Sequence, residues 1–209
     1  SLHDALPISA EDKNFYSHQG VDFMGTARAM RNNILNRGHS LAGGSTITQQ
    51  VVKNFLLSNE KSFERKIKEA ILAYRISNSY SKEKILELYL NEIYLGQSTY
   101  GVAAAAMTYF SKSLDQLTTE EAALLAALPK APAYFDPAKN YARALERRNY
   151  VITRMREDGA IDVKEEARAK ATPILTRTRD KSEVARADFF AEEVRRALAA
   201  MYGSNVLYE

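Results

Sequence analysis

The sequence predicts an all-α protein. Three observations carry that expectation. Apolar residues recur at helical spacing over most of the chain, as in Phe23, Met24, Ala27, Met30 and Ile34. Helix starts are signposted: Ser45 or Thr46 after Gly43-Gly44, Ser81 before Lys82, and Thr118 three places ahead of Glu121. No segment shows the apolar–polar alternation of a half-buried strand.

Val21 to Asn36 is a mixed segment whose apolar residues, Leu35 included, interleave with Arg28, Arg31 and Arg37. Gly43-Gly44 breaks the chain, and the helix that Ser45 or Thr46 caps runs to about Leu57. Lys61 to Tyr80 reads as one long helix. Phe63, Ile67, Ala70, Ile71 and Tyr74 form its apolar stripe, with Arg65 and Glu69 opposite. The helix capped by Ser81 ends near Gly96, and Gly101 to Phe110 is alanine-rich and suited to close packing. Glu120 to Leu128 stops at Pro129. Lys130-Ala131-Pro132 is an extended turn, because residues before proline avoid the helical region. Asp136-Pro137 opens a helix through Asn149 to Glu157, closed by Gly159. Thr172 to Arg186 is charged and aperiodic and reads as a linker; Asp188 can cap a last amphipathic helix through Met201.

This organisation predicts one helical domain over 10–171, then a linker and the start of a further segment over 172–209. Residues 1–9 are set aside as a non-native or disordered tail, because Ser1-Leu2-His3-Asp4-Ala5-Leu6-Pro7-Ile8 resembles the translation of a sequencing-adapter oligonucleotide.

With 45% apolar and 26% charged residues, the 209-residue chain has the composition of a globular protein. A net charge of +3 gives no reason to expect a nucleic-acid partner. The absence of cysteine excludes thiolate metal sites, thiol nucleophiles and disulfides. There is no apolar run of about 18 residues to span a membrane, and no signal peptide.

Three groups of residues suggest chemistry. Glu11 precedes Phe15, Tyr16 and His18 and a turn at Gly20; a carboxylate among rings can have its pKa raised into the range of acid–base work. Gly43-Gly44 before a helix start lets backbone N–H groups approach an anion, though without the Gly-Lys-Ser/Thr of a nucleotide loop. Arg65 and Glu69, four apart, suit a surface ion pair; yet Leu72 and Ile76 continue their face, so that face is not simply solvated.

Four strings stand in order: Glu11-Asp12-Lys13-Asn14-Phe15-Tyr16-Ser17-His18-Gln19-Gly20, Gly44-Ser45-Thr46-Ile47-Thr48-Gln49-Gln50, Arg65-Lys66-Ile67-Lys68-Glu69, and Lys82 through Asn91 with Tyr94-Leu95-Gly96. With Leu128-Pro129-Lys130-Ala131-Pro132, they resemble glycosyltransferase family 51, the peptidoglycan-polymerising domain of class A penicillin-binding proteins and monofunctional transglycosylases. The resemblance covers roughly residues 10 to 155; Asp188 to Glu209 also resembles the segment leading to a transpeptidase domain, so the resemblance implies a fragment truncated at both ends, short of that domain and of the family's anchor helix.

The resemblance implies a lysozyme-like fold, with a larger helical lobe and a small jaw around residues 21–42 flanking a cleft. It implies that Glu11 is the general base and Glu69 the second catalytic carboxylate. Ser45, Thr46, Gln50 and Lys53 would face the substrate. Arg65 and Lys66 would bind a diphosphate, with Lys130 a further phosphate contact. Phe15, His18, Gly20, Gly44, Asn91 and Gly96 would be structural, as would Asp12. The implied reaction polymerises lipid II into glycan strands, with inversion at the donor anomeric carbon and release of undecaprenyl diphosphate. The sequence demands no cofactor and no protein metal site, although magnesium could share the diphosphate. Implied partners are lipid II, the growing strand, the outer surface of the cytoplasmic membrane and other cell-wall synthesis proteins, with the domain on the periplasmic or extracellular face. The apolar and basic mixture in 21–42 suits an interface with acidic headgroups. A lysozyme-like hydrolase would not need Lys53, Arg65 and Lys66, and a non-catalytic module would not need both Glu11 and Glu69.

Overall fold

The computed structural model describes residue 8 and residues 10–35, 44–56 and 62–177. Eight α-helices are described: α1 (Phe23–Leu35), α2 (Ile47–Leu56), α3 (Phe63–Ser79), α4 (Lys82–Glu92), α5 (Val102–Phe110), α6 (Thr119–Ala127), α7 (Tyr141–Glu157) and α8 (Val163–Ala171), with a 3₁₀ turn at Leu114–Gln116. Among the described residues there is no strand, only an isolated antiparallel bridge between Tyr94 and Tyr100. The helical expectation is met. These helices belong to the compact unit that ends at Thr176. The expectations for residues 1–7 and 9, for the linker beyond 177 and for the Asp188 helix lie outside the described residues.

Short polar side chains start the helices where the sequence places them. Thr46 and Gln49 form a reciprocal box at α2: the Gln49 N–H donates to the Thr46 hydroxyl at 3.1 Å, and the Thr46 N–H donates to Gln49 Oε1 at 2.9 Å. Ser62 accepts from the Arg65 N–H and Ser81 from the Lys84 N–H. Thr118 and Glu121 make the box expected of them at α6. Each such cap is worth about 1 kcal/mol.

Two boundaries and one element differ from the sequence reading. Helix α4 ends at Glu92, because 93–101 folds into a loop in which Leu95 donates to the Thr99 carbonyl and Thr99 to that of Gly96. Gly96 sits at φ +88 in that loop, beside the Tyr109 hydroxyl. Helix α7 begins at Tyr141, since the Asp136 side chain accepts from the Ala138 N–H and turns 136–140 away from helix. Helix α8 had no element of its own in the sequence reading; its signal was Asp162, whose side chain accepts from the Glu165 N–H.

The core is gathered around α6, whose residues from Thr119 to Ala127 are almost all buried and which packs on α7. Phe15, Ile47, Ile85, Leu95, Tyr109, Leu128, Ile152 and Met155 join the same core, and the partly buried Ile8 packs against it. Helix α2 lies against both α3 and α4, which puts it at the centre of the functional region.

Helix α3 packs the opposite way from a simple amphipathic helix. Phe63, Ile67, Ile71 and Tyr74 are 82%, 47%, 51% and 51% exposed, while Glu69 is 1% exposed. The face carrying Arg65, Glu69 and Ala73 is the one turned to the protein, and Ile76 continues it into the core. The surface ion pair that spacing alone suggests is therefore a buried one.

Candidate active site

The site begins with the loop after Glu11. Phe15 is fully buried, and the Lys82 ammonium lies 4.6 Å from its ring centre while donating to the His18 carbonyl at 2.6 Å. His18 Nε2 lies 3.0 Å from both oxygens of Asp12. Asp12 Oδ2 also accepts the Ile47 N–H at 2.9 Å, at the positive end of α2. Thr46 is 3% exposed, and its hydroxyl donates to the Gly20 carbonyl at 2.6 Å. Thr46 thus fastens the loop to α2 instead of turning its side chain to a substrate. Gly20 has φ +85, and a Cβ there would stand 2.3 Å from the Ala73 carbonyl oxygen. The loop is pinned to α2, α3 and α4 together.

This frame holds Glu11. Its Oε1 accepts from Arg147 Nη2 at 3.2 Å, and its Oε2 faces Gln50 Nε2 at 3.5 Å. Burial raises the Glu11 pKa above the ordinary glutamate value, opposed by the charge of Arg147, the Gln50 amide and the charge of Lys130. Lys130, though exposed, is close enough to feel both Arg147 and Glu11, and partial burial lowers its own pKa. The Tyr89 hydroxyl, buried and without a hydrogen-bond partner, lies within the field of Glu11 and Asp12; burial first, and then those charges, raise its pKa well above the ordinary phenol value.

The second acid has a different environment. Glu69 Oε2 accepts from Arg65 Nη1 at 3.1 Å, and its Oε1 accepts from Lys66 Nζ. Lys66 also donates to the Ser45 hydroxyl at 2.8 Å. Lys66 is 45% exposed, so one cation of the pair reaches solvent.

The two clusters meet on one short segment. Ser45 touches the Lys66–Glu69 cluster, and Gln50 touches Glu11. Ser45 lies two residues before α2 and Gln50 in its first turn, five residues apart in the chain. The structure thereby brings together Glu11, Gln50 and Lys130 on one side, and Ser45, Arg65, Lys66 and Glu69 on the other. Lys53 lies exposed on α2, three residues beyond Gln50 and so on a neighbouring part of the same face.

The remaining motif residues differ in what surrounds them. The Asn91 side chain is exposed, while its carbonyl oxygen lies where a Cβ on Gly101 would be, 2.4 Å away. Gly44 is not sterically demanded, since a Cβ there meets nothing nearer than 3.5 Å.

Sequence reasoning missed Arg147. It sits in the run Arg143 to Arg148, to which the sequence reading gave no role, and its side chain is only 12% exposed. Its place one turn before the apolar Val151 marks the inward side of α7 but names no partner.

A family model described as Transglycosylase matches residues 2–156. Penicillin-binding protein 1A of Rickettsia bellii (strain RML369-C) is 56% identical over 199 residues, which is 94% of this chain and 25% of that protein. Penicillin-binding protein 1A of Neisseria gonorrhoeae is 48% identical over 202 residues, 95% of this chain and 25% of that protein. The chain thus spans about a quarter of the length of these curated relatives. A crystal structure of penicillin-binding protein 1A from Haemophilus influenzae aligns with 76% of this chain and 20% of its own, at 36% identity and a TM-score of 0.48.

Proposed function

The chain belongs to the transglycosylase family, and we propose that it is a peptidoglycan glycosyltransferase that polymerises lipid II into glycan strands for the cell wall. Glu11 takes the proton from the 4-hydroxyl of the acceptor's GlcNAc. The resulting oxygen attacks the anomeric carbon of the donor MurNAc, the bond from that carbon to the diphosphate breaks, and undecaprenyl diphosphate leaves. Attack opposite the leaving group inverts the centre, from α in the donor to β in the strand.

The observation that carries this reading is the 45–50 segment, which joins a partly buried acid of raised pKa to a buried acid holding two cations. A base must be basic enough to take a proton near neutrality, and burial supplies that. A leaving diphosphate gathers negative charge, and cations fixed in place lower its barrier without rearranging. Lys66, Arg65 and the exposed Lys53 supply them, with Glu69 holding the first two in position.

Magnesium would enter with the diphosphate. Both Glu69 oxygens are engaged by cations, and among the described residues no three His, Asp or Glu side chains gather to hold a metal.

Lipid II places the work at the outer surface of the cytoplasmic membrane. Supporting that, α1 exposes Phe23 at 77% and Met24 at 74% beside the exposed Arg28 and Arg31, and the α3 stripe exposes further apolar side chains. No described helix is long and apolar enough to cross a membrane. Changing Phe23 and Met24 to glutamate should reduce sedimentation with anionic lipid vesicles; undiminished binding would remove α1 from the interface. Other cell-wall synthesis proteins are partners by the same reading.

The test of the reaction is its stoichiometry. Mass spectrometry should find one undecaprenyl diphosphate released for each glycosidic bond formed. Cleavage of existing strands without diphosphate release would mean a hydrolase.

A further inference from the structure

Arg147 reaches Glu11 from 136 residues away and is, among the described residues, the cation in direct contact with it. Its setting fixes the guanidinium before any substrate arrives. The side chain is 12% exposed and lies over the Tyr150 ring at 4.8 Å. Helix α7 is itself anchored on both sides of this point. Val151, Ile152 and Met155 are fully buried, and Arg148 donates to the carbonyls of Thr172 at 2.7 Å and Lys170 at 3.2 Å at the far end of α8.

The other groups around Glu11 cannot do the same work. Gln50 on α2 is neutral, and its 3.5 Å contact is at the limit of a hydrogen bond. Tyr89 on α4 is buried and neutral, and Asp12, the next residue, carries the same charge as Glu11. Lys130, in the turn before α7, is cationic but exposed, and so screened. The two Glu11 oxygens are therefore unequal. Oε1 is held by a charge-assisted bond, while among the described residues Oε2 has only the long amide contact and keeps its proton-accepting capacity.

We propose that Arg147 is the positioning residue of the base: from α7 it holds Glu11 by Oε1, favours the charged form of the carboxylate, and leaves Oε2 as the oxygen that takes the acceptor's proton. This rests on the reading of Glu11 as base. It adds a role for α7, far in sequence from the acid motif. Burial favours the protonated form of Glu11, in which it cannot act as a base; the Arg147 charge opposes that while engaging one oxygen.

The experiment compares the wild type with Arg147→Gln and Arg147→Lys. The Glu11 carboxyl is titrated by carbon-13 NMR with specifically labelled glutamate, its signal assigned through Glu11→Gln. The pH profile of kcat/KM with lipid II is measured in parallel. An opposing charge in contact lowers a carboxyl pKa by about 1–3 units. In Arg147→Gln the Glu11 titration and the acidic limb should therefore both move up by about one unit or more, a roughly tenfold loss of activity on that limb. Arg147→Lys, which keeps the charge without the planar fork, should return the limb most of the way with a lower kcat. A Glu11 titration unmoved in both variants would overturn the proposal, whatever happens to stability. The NMR titration reads Arg147 without catalysis, so an inactive wild type with a shifted titration would sink the assigned reaction and leave the Arg147–Glu11 coupling standing.

Discussion

Asp12 accepts the Ile47 backbone N–H through Oδ2 at 2.9 Å. That bond satisfies one of the donors a helix N-terminus leaves open, and it places a negative charge at the positive end of α2. It also makes the acid motif and the glycine-led motif one mechanical unit. Glu11, one residue before Asp12, is thereby set beside Gln50, one turn along from Ile47. His18, against the same carboxylate, and Lys82, against the His18 carbonyl, brace the unit from behind.

Replacing Glu11 by glutamine keeps the shape and removes the base. Polymerisation should fall by about 10²–10⁴-fold, the usual contribution of a general base. Circular dichroism should remain that of the wild type. Near-normal glycan synthesis by Glu11→Gln would remove Glu11 from the base role.

The same substitution should change stability with a definite sign in pH. The folded-state pKa of Glu11 is raised, so the folded protein holds this proton more tightly than the unfolded chain does. The cost of its charge is absent below the ordinary glutamate value and complete above the raised one. Relative to wild type, Glu11→Gln should therefore gain stability as pH rises through that window and then level off. Paired thermal melts from about pH 4 to about pH 8 check this. A difference in Tm that does not change with pH contradicts the raised pKa.

Much of the frame was legible because its signals are local. Thr118 with Glu121, Ser81 before α4 and Thr46 with Gln49 each announce a helix start within four residues. The inward face of α3 was harder. Amphipathic spacing says that Phe63, Ile67, Ile71 and Tyr74 share a face; it does not say which face is buried. Here the polar face turns inward because Glu69 is satisfied by Arg65 and Lys66. Arg147 was illegible for a different reason. Its partner lies 136 residues away, and nothing within its own turn distinguishes an arginine that meets a carboxylate from one that meets water.

Arg65→Ala leaves a buried carboxylate with one cation. Stability should fall by about 1–3 kcal/mol, the cost of an incompletely satisfied buried group. Capture of the donor diphosphate should weaken as well, seen as a raised KM for lipid II. A destabilised variant with unchanged KM would mean that Arg65 serves the fold alone.

Gly20→Ala tests the fastening of the acid loop. The residue has φ +85, and the added Cβ would stand 2.3 Å from the Ala73 carbonyl oxygen. Backbone strain and overpacking together should cost about 2–4 kcal/mol. For a domain of this size that is a Tm loss of roughly 5–15 °C. Gly44→Ala, whose Cβ meets only ordinary contacts, is the control and should melt near the wild type. Equal Tm values for the two variants would contradict the tight loop packing.

The most direct measurement incubates the protein with labelled lipid II, separates the products on a gel and digests them with muramidase. Transfer by Glu11, with the cations around Glu69 receiving the diphosphate, predicts a ladder of lengthening strands that collapses on digestion. Lipid II left unpolymerised by a correctly folded protein in the presence of membrane, or small muropeptides released from finished wall, would contradict it.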